Sequence, residues 1–134
     1  MSKGLQNFLQ KHKKLFLVHL ISLGVLLLGF ILCRYAFFGL HGMGEWPFDL
    51  LIAGLVALLI SLLAGKQNAP WFTSVGYFLG FWMGVLFHTE GYDPGGGKTD
   101  NLWGIWMLVF LGCIVAGFLL ELALKWWKLL QKNR

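Results

Sequence analysis

The chain has 134 residues, of which 57% are hydrophobic before its 18 glycines are counted and only 13% are charged, whereas soluble domains run near 45–50% apolar with glycine included and about 25% charged. With a mean hydropathy of +0.69, too little polar surface exists to cover a water-soluble globule, and intrinsic disorder needs the opposite bias. A formal net charge of +5 would point to nucleic acid in a soluble protein; here its distribution makes it a topology signal, and neither a nucleic-acid nor a nucleotide partner is expected.

In chain order, Leu5, Phe8, Leu9, His12, Leu15 and Phe16 recur at helical spacing. Residues 3–14 are therefore either an amphipathic helix in the headgroup layer or a solvated tail. Four apolar spans follow, at 15–38, 48–65, 71–88 and 102–124, with a tail from 125 to 134. At about 1.5 Å per residue the middle two just reach across a hydrocarbon core of roughly 30 Å, and the outer two overshoot it. No alternating barrel pattern occurs, so each span is expected to be helical. Short connections make successive helices antiparallel neighbours and leave no room for a second domain. The fold class expected is an all-α membrane protein, an antiparallel up-down bundle of four transmembrane helices. Pro47 and Pro70 fall in first turns, with Asn68, Asp100 and Asn101 as candidate caps.

Lys3, Lys11, Lys13, Lys14, Lys66, Lys125, Lys128, Lys132 and Arg134 flank one side with Glu121. Arg34 and Lys98 lie on the other with Glu45, Asp49, Glu90, Asp93 and Asp100. The positive-inside rule then places both termini in the cytoplasm. The apolar stretch 15–33 is longer than a signal-peptide core and no small-residue cleavage pattern follows it, so it is expected to stay as an anchor.

The most specific pattern is Gly76-x-x-x-Gly80-x-x-x-Gly84 in the third span, a flat stripe that lets another backbone approach closely. Gly112-x-x-x-Ala116 and Cys113-x-x-x-Gly117 in the fourth offer a counter-face, either within the monomer or between subunits. Phe78, Phe81 and Trp82 are expected on the far side of the stripe. Cys33 and Cys113 differ in depth by roughly 16 Å, too far for a disulfide. Loop 89–101, TEGYDPGGGKTDN, contains GGGKT, but Tyr92 stands where a Walker A motif needs glycine and no strand precedes it. Its glycines suit a turn folded onto the end of the bundle.

His41, Glu45, His88, Glu90 and Asp93, with Asp49 and Asp100 nearby, carry donors that suit a divalent metal. Their spacing is not diagnostic, and solvated charges balancing Arg34 and Lys98 are the alternative; no metal or cofactor is assigned. Arg34 lies near the outer end of its span and is expected to snorkel outward to a carboxylate. Tyr35, Trp46, Tyr92, Trp103 and Trp106 read as an outer aromatic belt, and Trp71, Trp126 and Trp127 as an inner one. Counting depth from the basic end puts His19, Ser61, Ser74 and Glu121 at one level, one per span. His19 and Glu121 then pair across the bundle, or Glu121 pairs with Lys125 at i+4.

No nucleophile–base pair or metalloprotease motif is present, so no enzymatic activity is expected. Apart from Ser22 and Tyr77 the mid-membrane region is dry, which argues against a water-filled path through one subunit. The expected function is that of a non-catalytic accessory, regulatory or assembly subunit acting through helix packing and its outer loops, with the lipid bilayer and a membrane-protein partner or homo-oligomer as partners. The alternative is a small oligomeric transporter or ion conduit with a histidine–carboxylate outer vestibule. Compactness and bare loops point to a bacterial inner membrane.

Overall fold

The computed structural model describes residues 2–41, 44–92, 94–96 and 98–134, apart from the side chains of Leu40, His41, Lys98 and Thr99. Four helices are long and apolar enough to cross a bilayer. Helix α1, Lys3–Ile31, starts where Ser2 Oγ accepts a hydrogen bond from Leu5 N at 3.3 Å and passes into a π-helical turn, Leu32–Ala36. A short α2, Phe38–His41, precedes α3, Trp46–Leu63, and α4, Ala69–Phe87. A two-stranded ribbon, β1 (Glu90–Tyr92) and β2 (Lys98–Asp100), leads into α5, Leu102–Lys132.

Residues 3–14 and 125–132 are continuous with α1 and α5, because no proline or glycine interrupts the Lys- and Leu-rich sequence at either junction. At about 1.5 Å per residue α1 and α5 reach ~44 and ~46 Å, well beyond a core of roughly 30 Å. They project at the same end of the bundle. The stop of α3 is sharp: Gly65, at φ +71°, lets Lys66 N reach Ser61 O at 2.8 Å and Gly65 N reach Leu62 O at 3.1 Å, the paired bonds of a Schellman cap.

Consecutive long helices run in opposite directions. His19 of α1 meets Ser61 near the end of α3, while Leu26 lies against Gly54. Along α4, Gly76, Gly80 and Gly84 pass Cys113, Trp106 and Leu102 of α5 in turn. The buried face of α1 is the narrow seam His19, Ser22, Leu26, Gly29 and Cys33, at the three- and four-residue spacing of one helix stripe. At the centre, Leu26, Tyr77, Phe81, Trp106 and Phe110 have no solvent exposure. Tyr77–Trp106, Tyr77–Phe110 and Phe81–Trp106 meet edge-on, with ring centroids 5.3, 5.4 and 5.2 Å apart, the geometry aromatic quadrupoles favour.

The glycine stripe is spent inside the chain. A Cβ on Gly76 would lie 2.5 Å from Cys113 Cβ, one on Gly80 2.8 Å from Trp106 O, and one on Gly84 3.0 Å from Leu102 O. Gly117 completes the seam against Phe72 and Ala69. Within the chain the other half of the expected counter-face is corrected: among the described residues nothing lies within 4 Å of a Cβ on Gly112, and Ala116 is exposed, since both lie on the outward side of α5. Phe81 is core rather than far-side. Trp106 is no interfacial anchor; fully buried, it donates from Nε1 to Tyr77 O at 2.9 Å. Tyr77 Oη–H donates to Pro47 O at 2.7 Å, so one aromatic cluster ties α3, α4 and α5 together.

Candidate functional site

Polar chemistry collects at the two ends. At the acidic end, α4 stops at His88 and the ribbon pairs Glu90 with Asp100, Gly91 with Thr99 and Tyr92 with Lys98. That register sets two carboxylates opposite each other, a repulsive cross-strand pair unless a cation intervenes. His88 is placed to supply it. Its Nδ1–H donates to Val85 O at 2.8 Å, directing Nε2 to Glu90 Oε1 at 3.7 Å.

The donor atoms of His88, Glu90 and Asp100 all lie within 4.8 Å of one another. A ring anchored through one nitrogen with the other turned toward carboxylates is the usual arrangement of a metal-ligating histidine, so these three residues form the candidate divalent-cation centre. The same geometry suits a proton: the bond to Val85 O raises the His88 pKa above its ordinary 6.5, desolvation opposes this, and the Asp100 and Glu90 carboxylates add to it. Asp100 Oδ1 also accepts from Leu102 N at 2.9 Å and Asn101 Oδ1 from Thr89 N at 2.6 Å, joining the ribbon to the start of α5.

Of the wider set expected from sequence, Asp93 lies outside the described residues, as does the side chain of His41. Glu45 and Asp49 are not in the cluster; Glu45 instead receives Phe48 N and Asp49 N on its backbone carbonyl at the start of α3. Arg34 is not in an ion pair among the described residues. Its guanidinium carbon sits 5.3 Å from the Tyr35 ring centroid and 5.5 Å from that of Phe38, a cation–π arrangement suited to a charge at a wet edge.

At the basic end the expected polar layer resolves into three separate arrangements. His19 Nδ1–H donates to Leu15 O and Nε2 lies against Ser61 Oγ, each at 2.9 Å; the Ser61 hydroxyl proton is shared between that nitrogen and Leu58 O, also at 2.9 Å. Ser74 Oγ–H bonds back to Pro70 O and Trp71 O in its own helix. Glu121 does not meet His19, and no Glu121–Lys125 ion pair occurs among the described residues. Instead Glu121 Oε1 accepts from Asn68 N at 2.5 Å and Ala69 N at 3.1 Å, so α5 caps α4 with a negative charge at its positive end. Asn68 makes no side-chain cap. The signal available in sequence was depth: Glu121 is level with the start of α4, whose first N–H groups have no partner within their own helix. One group stands apart. Among the described residues Ser22 Oγ is fully buried without a hydrogen-bond partner.

Set against known families, curated proteins and solved structures, the chain matches none.

Proposed function

We infer that this is a non-catalytic accessory or assembly subunit of a bacterial inner membrane, with both termini cytoplasmic, acting through its outer helix faces and its ribbon end. The observation carrying this reading is the filled interior. Tyr77, Phe81, Trp106 and Phe110 occupy the middle of the bundle at 0% exposure, and Tyr77 Oη and Trp106 Nε1 are engaged with backbone carbonyls. A conduit needs polar groups or unwound backbone at mid-depth, and these residues leave neither. What remains for contact is the outside, where Leu108, Leu111, Val115 and Leu119 of α5 are exposed and Gly112 and Ala116 let another helix approach.

Two measurements test the reading. Cysteines at Lys66 and Lys128 are expected to label only from the cytoplasm and one at Gly96 only from outside; the reverse pattern overturns the orientation. Purified protein in liposomes is expected to carry no ion flux above empty vesicles. Flux abolished by a substitution in the His88 cluster would replace this reading with that of a conduit.

A further inference from the structure

We propose that the basic end holds one anionic phospholipid, its headgroup over Lys11, Lys66, Lys125 and Lys128 and an acyl chain in the groove between α1 and α3. The headgroup site is a cavity of about 340 Å³ formed by α1, the α3–α4 turn and α5. Its four lysines come from all three elements, and none is in an ion pair among the described residues. The one acid in the wall, Glu121, is already engaged with Asn68 N and Ala69 N. Lys66 is held in place by the Schellman cap of α3, so the site is partly built by backbone rather than by lysine stems alone.

Charge by itself would equally suit a free phosphate; the tail groove distinguishes the two. The headgroup cavity shares Lys11, Gly65 and Gln67 with a neighbouring hollow that also includes Leu15. A separate cavity of about 240 Å³ between α1 and α3 starts at Phe16, one residue after Leu15 in sequence, and is lined by Phe16, His19, Leu20 and Leu23 against leucines of α3. From the lysine cavity toward the α1–α3 groove the lining therefore changes from cationic to almost wholly apolar, in the order in which a phospholipid changes. Leu124 in the cavity wall and the exposed Trp126 and Trp127 beside it on α5 put this level at the membrane interface, where tryptophan concentrates and basic pockets between helices bind anionic headgroups. The proposal needs only that the helices lie in a bilayer, not which end faces the cytoplasm.

The test is native mass spectrometry of the full chain released from nanodiscs of phosphatidylcholine alone, or with phosphatidylglycerol or cardiolipin added. Retention of the anionic lipids but not of phosphatidylcholine is expected. A nearby lysine contributes about fivefold in affinity, so Lys66→Gln with Lys125→Gln is expected to weaken retention roughly 25-fold. Lys3→Gln with Lys132→Gln, outside the cavity, is expected to change it less than twofold, and circular dichroism checks that both variants stay folded. Equal loss in the control pair would show diffuse surface charge and overturn the site. Displacement of the lipid by millimolar inorganic phosphate would overturn the lipid assignment, as would equal retention of phosphatidylcholine.

Discussion

Adding one methyl group at Gly80 tests the seam that organises the bundle. A Cβ there lies 2.8 Å from Trp106 O, 2.9 Å from Trp106 Cδ1 and 3.2 Å from Phe110 N. Two of those atoms are backbone of α5, so no rotamer change relieves the clash and the helices themselves must part by roughly half an ångström to regain ordinary contact. Parting them also stretches the 2.9 Å bond from Trp106 Nε1 to Tyr77 O. Overpacking of this kind costs about 1–3 kcal/mol and a weakened hydrogen bond up to about 1 more, against a helix-propensity gain of at most about 1 kcal/mol for glycine to alanine. Gly80→Ala is therefore expected to lose about 1–3 kcal/mol. Gly112→Ala, with open space around its Cβ, is expected to be neutral or up to about 1 kcal/mol more stable. Denaturant unfolding of both variants in the same mixed micelles, followed by tryptophan fluorescence, makes the comparison. Equal stability of the two would refute the packing of α4 on α5 through this stripe.

Four further outcomes are expected. Glu121→Leu leaves Asn68 N and Ala69 N unsatisfied and is expected to cost about 1–3 kcal/mol; because His19 is bonded elsewhere, the His19→Leu, Glu121→Leu double-mutant cycle is expected to be additive within about 0.5 kcal/mol, and a coupling above 1 kcal/mol would contradict the cap. Ser22→Ala removes a buried hydroxyl without a partner and is expected to be neutral or stabilising, so clear destabilisation in the same unfolding assay would show a partner for it. The raised His88 pKa means its contribution is complete below its unfolded value of about 6.5 and is lost as pH rises through the higher folded value; melting temperatures from about pH 5 to 9 should lose this step in His88→Gln, and an unchanged profile would remove His88 from the ion pair. Zinc competes with that proton, so calorimetry at alkaline pH should give heat that His88→Ala abolishes; no heat with the wild-type protein would leave the cluster a proton site alone.

How much was legible in the sequence follows from the range of the interactions involved. Helices at the four apolar runs were readable because a long run of apolar residues satisfies its own backbone only as a helix in lipid, a property of each segment alone. The glycine stripe was readable as a close-approach surface for the same reason: three small residues four apart lie on one face of any helix. Which helix fills that face needed the fold. Gly112 and Ala116 match Cys113 and Gly117 in spacing, and only the rotation of α5 about its axis, set by the burial of Trp106 and Phe110, separates the inward pair from the outward one. Glu121 makes the same point for polar groups. Depth along the chain put it level with His19, yet an equally close row of backbone N–H donors opened α4, and the tertiary arrangement chose those donors because they are fixed and free of any intrahelical partner. Trp106 looks like an interfacial anchor by its position near a span end and became core because the stripe on α4 left a groove deep enough to take an indole. Segment-level free energy was written in the sequence; the choice among partners of similar chemistry depended on helix rotation, which no single segment determines.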